Sequence, residues 1–177
     1  MVNLIEERAG FELLGRQYPV ARHVVIENTS IANVRCAWVI PATAVADEVV
    51  MYIHGGGFIY GSVNSHAALV SHIAQAINRK ALVIDYPLAP EHPFPAGLND
   101  CVNVIETFCK QHPTITFGIM GDSAGGKLHQ QYGKAGVQSE CIEFEGEQHV
   151  WPFNDIAAAA SKKALGLMAD FVGAFCS

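Results

Sequence analysis

Positive charge is scarce in this chain. Its 177 residues include 11 Lys and Arg against 17 Asp and Glu, a formal net charge of −6 at pH 7. Binding to nucleic acid or to an anionic membrane usually requires a basic surface, so neither partner is expected. No stretch approaches about 18 uninterrupted apolar residues, and no transmembrane span is predicted. Glu6 and Glu7 precede any apolar run, unlike the basic start of a secretory leader, so we predict a soluble, cytoplasmic protein.

Disulfide and metal-binding spacings are also missing. The five cysteines form no C-x-x-C motif and leave one unpaired whatever the pairing, so they are interpreted as reduced thiols that pack in the interior. The eight histidines show neither H-x-x-x-H spacing nor clusters with cysteine, and no metal site is predicted. The cysteines are Cys36, Cys101, Cys109, Cys141 and Cys176.

What the chain does contain is the pattern of an α/β fold. Half of its residues are hydrophobic and 16% are charged, and we expect one domain over residues 1–177. Two β-rich runs joined by a polar link at 29–32 predict an antiparallel hairpin. Three continuously apolar runs alternate with helical spacing, which predicts a mostly parallel, doubly wound sheet. The predicted strands are 23–28, 33–40, 49–54, 81–86, 117–121 and 140–144, and the predicted helices are 62–79, 96–112, 124–135 and about 155–175.

A candidate nucleophile follows the last of the three apolar runs. The segment Gly121–Gly125 reads G-D-S-A-G, a G-x-S-x-G nucleophile elbow. Glycine is needed there because the turn is strained and the next helix passes close to a neighbouring strand. The alternative is a plain glycine-rich turn between a strand and a helix. The preceding apolar strand and the following helical pattern favour Ser123 as a nucleophile.

A second glycine-rich segment follows the strand at 49–54. His54-Gly55-Gly56-Gly57 matches the HGGG-type loop whose backbone amides stabilise an oxyanion. The alternative is a phosphate-binding loop, but neither a G-x-G-x-x-G motif nor a Walker lysine follows. We therefore expect the amides of Gly56, Gly57 and Ala124 to form an oxyanion hole.

His149 is the candidate general base. It follows the predicted strand at 140–144 and should lie at the carboxyl edge of the sheet, where α/β sites assemble, and imidazole can accept a serine proton near neutral pH. A lone histidine is commonly structural, and the order along the chain, after Ser123, is what favours His149. The other helix and turn histidines are interpreted as structural: His66, His72, His92, His112 and His129.

Together these motifs resemble the hormone-sensitive-lipase-like family of α/β-hydrolase carboxylesterases. The resemblance implies a lipase-like esterase with Ser123 as nucleophile, His149 as base and an oxyanion hole from Gly56, Gly57 and Ala124. It also implies a small-molecule ester with a short acyl group as substrate, and no cofactor. The residues that carry the resemblance are His54–Phe58, Asp85–Ala96, Gly121–Gly126 and His149–Trp151.

The chain departs from that family mainly by an apparent internal deletion. Small departures are Pro87, where the family commonly has arginine, and Lys127, where it commonly has asparagine. After the elbow the sequence passes directly to a segment at 128–137 that follows the acid loop in the family, which places the seam near Gly126 and Lys127. One βαβ unit takes about 30 residues, and two such units are needed to pass from the serine through the acid to the histidine. Ser123 and His149 are only 26 positions apart, which leaves room for one.

The deletion removes the region that would supply the acid of a catalytic triad. Four carboxylates near or after His149 are candidates to orient its ring, although each taken singly is better explained as a solvated surface charge. None is favoured over the others. They are Glu145, Glu147, Asp155 and Asp170.

Two other interpretations remain open. The chain could be a catalytically defective scaffold, whose missing strands expose a sheet edge and favour homo-oligomers. Alternatively, the real polypeptide could contain an internal segment that this sequence lacks, which would restore full activity. In each case residues 1–22 are expected to be the remnant of a cap over the site.

Overall fold

The computed structural model describes residues 3–126, 145, 147 and 149–175. Its helices are α1 (Leu4–Glu12), α2 (Val63–Ile77), α3 (Ala96–Gln111), α4 (Ser123–Gly126) and α5 (Ala159–Phe175), with 3₁₀ turns at Leu13–Arg16 and Trp151–Phe153. Its strands are β1 (Val24–Ile31), β2 (Val34–Pro41), β3 (Glu48–Ile53), β4 (Lys80–Ile84) and β5 (Thr116–Gly121). The predicted strand at 140–144, and the predicted helix 124–135 beyond Gly126, lie outside the described residues.

In the described part of the chain five strands form one mixed sheet, in the order β1-β2-β4-β3-β5. β1 and β2 are antiparallel, β2 is antiparallel to β4, and β3 is parallel to both β4 and β5. Met51 at the centre of β3 pairs with Leu82 on one side and Ile119 on the other. This arrangement confirms the predicted α/β-hydrolase-type sheet with an N-terminal hairpin.

The hairpin turn is tighter than predicted. The polar link was expected at 29–32, but β1 continues to Ile31 and only Ala32 and Asn33 connect the strands. Both residues have positive φ, 52° and 64°. Two consecutive positive φ values produce a turn whose twist matches that of the paired strands, so polar residues at 29 and 30 stay in the strand.

Alternate side chains of the central strands pack on opposite faces of the sheet. Val50 and Tyr52 of β3 contact the cluster that includes buried residues of α2, and Val172 of α5 belongs to the same cluster. Met51 and Ile53 face the other cluster, which contains Cys101, Val104 and Phe108 of α3. The helices therefore cover both faces, as a doubly wound fold requires.

Helix α2 begins directly after the glycine loop. Ser62 caps it, because its hydroxyl accepts from the Asn64 and Ser65 amides while the Ser65 hydroxyl accepts from the Ser62 amide. This reciprocal pair is a capping box. It fixes where the loop ends and the helix starts, and so limits how far the loop can move.

The described structure differs from the expected pattern in two elements. The first half of β5, at Thr116, Phe117 and Gly118, is exposed instead of buried on both faces. Among the described strands only β3 pairs with β5, which explains the exposure. The last helix begins at Ala159 and not near Asp155, because the Asp155 carboxylate accepts from the Ala157 amide and forms a local turn first.

No helix in the described ranges has both the length and the apolar character needed to cross a membrane.

Candidate active site

Ser123 is the first residue of α4, on the sharp turn that follows β5. Its φ is +48°, a strained value for a residue with a side chain. The flanking glycines allow the close approach to β3 that this turn needs: a Cβ on Gly125 would lie 2.0 Å from the Ile53 carbonyl oxygen, and one on Gly121 would lie 2.6 Å from it. The turn thus has the geometry of a nucleophile elbow.

His149 lies beside this serine. Its Nε2 is 2.8 Å from the Ser123 Oγ, a normal length for a hydrogen bond between these groups. The two residues are 26 positions apart in the sequence, and Val150 after the histidine has a φ of +53°. The predicted nucleophile and base therefore share a hydrogen bond through which a proton can pass.

No described carboxylate orients the histidine. Within residues 3–126, 145, 147 and 149–175, no hydrogen bond or ion pair joins an acid to His149. The Asp155 carboxylate instead accepts from the Ala157 amide at 2.8 Å. Glu145, Glu147 and Asp170 are exposed. The described site is a serine–histidine pair without a third member.

The glycine loop lies against the same space. Gly56 and Gly57 have φ values of +105° and +63°, and a Cβ on Gly56 would lie 2.2 Å from the Tyr60 carbonyl oxygen. Both glycines line a cavity of about 380 Å³ that also contains Ser123 and His149. Ala124 is buried next to the serine and does not line the cavity. The remaining lining residues are Phe11, Leu14, Ile59, Tyr60, Asp122, Val150, Phe153 and Asn154.

Asp122, inside the elbow, ties the nucleophile turn to the glycine loop. One of its oxygens accepts from the Gly55 amide and from the Tyr52 hydroxyl, each at 2.9 Å, and lies 3.4 Å from Nε2 of the buried His66. Burial alone would raise the pKa of Asp122, but the contact with His66 and the Gly55 and Tyr52 donors outweigh it and lower the pKa. The carboxylate therefore stays charged under the serine.

His54, the first residue of the glycine loop, has a structural role. Its ring is fully buried and stacks on Tyr86, with the ring centroids 4.2 Å apart. The Tyr86 hydroxyl donates to the His54 carbonyl at 2.7 Å. Burial lowers the pKa of the His54 imidazole to about 4, so the ring is neutral near neutral pH and packs as a flat, uncharged support for the loop.

Sequence reasoning located the serine, the histidine and the glycine loop but missed two features. His66 was interpreted as merely structural, and its contact with Asp122 depends on the fold and has no local signal. The cavity lining by Phe11 and Leu14 of the N-terminal segment was expected only in general terms, as the remnant of a cap.

Known proteins share this fold. A family model described as the alpha/beta hydrolase fold matches residues 50–133. The chain superimposes on a crystal structure of an esterase from the bacterial hormone-sensitive lipase family with a TM-score of 0.68 and 26% identity, covering 100% of this chain and 64% of that one. A hormone-sensitive lipase from a metagenome library gives a TM-score of 0.67 and 33% identity, covering 77% of this chain and 48% of that one. The chain is a relative of the hormone-sensitive-lipase-like α/β-hydrolases.

Several curated relatives of this chain are esterases. An esterase from Acinetobacter venetianus is 36% identical over 123 residues, which are 68% of this chain and 40% of that protein. Esterase LipU from Mycobacterium tuberculosis is 32% identical over 123 residues, 69% of this chain and 41% of that protein. EstE5, whose crystals were soaked with p-nitrophenyl butyrate, has a TM-score of 0.66 and 34% identity over 77% of this chain and 48% of its own.

The hormone-sensitive-lipase-like chain spans about two fifths of the length of these two curated relatives. The superposition on the bacterial esterase covers the whole of this chain but 64% of that one. This partial coverage is consistent with the internal deletion indicated by the short interval between Ser123 and His149.

Proposed function

We propose that this chain is a serine carboxylesterase that hydrolyses short-chain acyl esters through an acyl-enzyme intermediate. The observation that carries the proposal is the 2.8 Å contact between Ser123 Oγ and His149 Nε2, two residues that line the cavity. A serine hydroxyl needs such a neighbouring base to act as a nucleophile at neutral pH. The esterases among its relatives support the same reaction.

The proposed reaction has two steps. Ser123 Oγ attacks the ester carbonyl carbon while its proton passes to His149 Nε2, and the tetrahedral intermediate collapses when that proton reaches the departing alkoxide. Water then attacks the acyl-serine, gives a proton to His149, and releases the acid and the free serine. The same imidazole acts as base and then as acid in each step.

Backbone amides would stabilise the negative oxygen of each tetrahedral intermediate. Gly56 and Gly57 line the cavity beside Ser123, and Ala124 follows the serine at the start of α4. Donors fixed in advance around the developing charge act strongly because they need no reorganisation during the reaction. We therefore propose the Gly56, Gly57 and Ala124 amides as the oxyanion hole.

We expect the reaction to be slow in this chain. The described residues provide no carboxylate to hold the His149 ring, and disabling the acid of a complete triad lowers kcat by about 10⁴ while some catalysis remains. The cavity of about 380 Å³ is near the small end of ligand pockets, roughly 300–1,000 Å³. Short acyl groups therefore fit the proposed site best.

We further propose that the chain forms one domain and works in the cytoplasm. The described cysteines Cys36, Cys101 and Cys109 are free thiols, which suits a reducing compartment. Burial raises the pKa of Cys36 to about 11 and that of Cys101 to about 12, so both stay protonated and unreactive. The exposed start of β5 supports self-association through this strand.

The proposal is tested by the hydrolysis of p-nitrophenyl butyrate. Saturable hydrolysis above the buffer rate is expected for the wild-type chain and should fall to the buffer rate in Ser123→Ala, because no other nucleophile is proposed. Ser30→Ala, which changes an exposed serine on β1, should hydrolyse the ester like the wild type. If the folded wild-type chain shows no hydrolysis, the chain is instead a catalytically defective scaffold. The lack of a described acid beside His149 would then explain the defect.

A further inference from the structure

The glycine loop beside Ser123 is held in a strained conformation. Three consecutive residues, Gly56, Gly57 and Phe58, have φ values of +105°, +63° and +65°. Glycine adopts such values at little cost, but phenylalanine does not. Strained backbone persists only where surrounding contacts determine it. The contacts that hold this loop are therefore part of what positions its amides.

One of these contacts comes from Arg8 of α1, which also binds the segment 89–91. Arg8 of α1 donates from Nε to the Ile59 carbonyl at 2.9 Å and from Nη2 to the Ala89 carbonyl at 2.7 Å. Its Nη1 and Nη2 also bind the two carboxylate oxygens of Glu91, each at 2.8 Å. A planar guanidinium can make such a set of directed bonds, whereas an ammonium group cannot.

The two segments that Arg8 joins, the loop and residues 89–91, are also bonded to each other. The Ala89 amide donates to the Phe58 carbonyl at 2.9 Å, so the segment 89–91 contacts the loop directly. On the other side, the Tyr60 hydroxyl donates to Glu7 at 2.5 Å, and the Tyr60 ring stacks on Phe11 with centroids 5.6 Å apart. Arg8 therefore sits where α1, the loop and the segment 89–91 meet.

We infer that Arg8 is a positioning residue for catalysis: it holds the strained glycine loop so that the Gly56 and Gly57 amides point at the reacting oxygen. This inference rests on the proposed function. It assigns α1 to the catalytic machinery, in addition to any role in covering the cavity. Arg8 does not line the cavity, so its effect passes through the Ile59 carbonyl and the backbone before it.

The test is Arg8→Lys, which keeps the positive charge but cannot make the same set of directed hydrogen bonds to Ile59, Ala89 and Glu91. Amides that act on the transition state affect kcat more than KM. A displacement of catalytic groups by about 1 Å can lower the reaction rate roughly 100-fold. We expect kcat for p-nitrophenyl butyrate to fall roughly 10- to 100-fold, with KM changed less than about threefold. The rate of Ser123 labelling by an excess of a phosphonate should fall by a similar factor.

The matched control is Arg35→Lys. Arg35 also pairs with a carboxylate, Asp85, at 2.8 Å, but its side chain is 84% exposed and it makes no contact with the glycine loop among the described interactions. Its kcat, KM and labelling rate should equal those of the wild type. Equal rates in Arg8→Lys and Arg35→Lys would overturn the inference.

A second variant allows the inference to be tested even if Arg8→Lys does not fold. Glu91→Gln keeps the size of the side chain but removes the charge that fixes the guanidinium, and we expect a smaller drop in kcat, roughly threefold to tenfold. Thermal unfolding of each variant identifies any that is unfolded. If Arg8→Lys does not fold, an unchanged kcat in folded Glu91→Gln overturns the inference. If the wild type itself is neither labelled nor active, the proposed function fails instead, which is a different result.

Discussion

Hydrolysis of p-nitrophenyl butyrate is expected to fall roughly 100-fold in kcat/KM when His149 is replaced by alanine, because proton transfer by a positioned side chain contributes at least that much and the effects of triad members do not add when no described acid assists the base. The Nε2 of His149 is the only described nitrogen that hydrogen-bonds to the Ser123 Oγ. Without it, the proton of the attacking hydroxyl passes to water. The size of this contribution is measured by comparing kcat/KM of His149→Ala with that of the wild type, after subtracting the background rate of Ser123→Ala.

The control for this variant is His23→Asn. His23 is exposed, lies before β1 and has a φ of +61°, a conformation that asparagine tolerates. It should retain the wild-type kcat/KM. If His149→Ala also retained the wild-type value, the 2.8 Å contact would have no catalytic meaning, and another base would have to be sought.

The second large effect is expected at the elbow glycine Gly125. A Cβ at this position would lie 2.0 Å from the Ile53 carbonyl oxygen and 2.9 Å from its carbonyl carbon, and these backbone atoms belong to β3 at the centre of the sheet. Gly125→Ala must therefore displace either α4 or β3. We expect a loss of about 3 kcal/mol of unfolding free energy, seen as a melting temperature lowered by roughly 6–12 °C. Labelling of Ser123 should slow as well, because the serine moves with the turn.

Gly118→Ala is the matched comparison, because Gly118 lies in β5 just before the same turn and a Cβ there meets no atom within 4 Å. Its melting temperature should be unchanged or slightly higher, because alanine has less conformational freedom to lose on folding than glycine. Equal melting temperatures for Gly118→Ala and Gly125→Ala would show that α4 does not pack as closely on β3 as the structure places it.

Much of the fold could be predicted from the sequence because its signals are local. Continuous apolar runs identified β3 and β4 as buried strands, and the structure confirms them. The exposed start of β5 could not be predicted from its own residues, because burial depends on which strand lies beside it. The two-residue turn at Ala32 and Asn33 was missed since neither Thr29 nor Ser30 carries a local sign that the strand continues.

The candidate site divides in the same way. Short sequence patterns tied to their chemistry identified Ser123 and the glycine loop, and the order along the chain after Ser123 identified His149. The contact from Arg8 to Glu91 joins residues 83 positions apart, and no sequence pattern in either segment predicts it. The distance between serine and histidine is likewise a property of the folded chain and not of either motif.

The proposed function requires Ser123 to be an activated nucleophile. The direct measurement is the intact mass of the wild-type chain after reaction with an excess of a serine-directed phosphonate, followed by peptide mapping. If Ser123 is activated, the wild-type chain carries one phosphonyl group, on Ser123, and Ser123→Ala carries none. A folded wild-type chain that stays unlabelled, or carries the label on another residue, would contradict the proposed function.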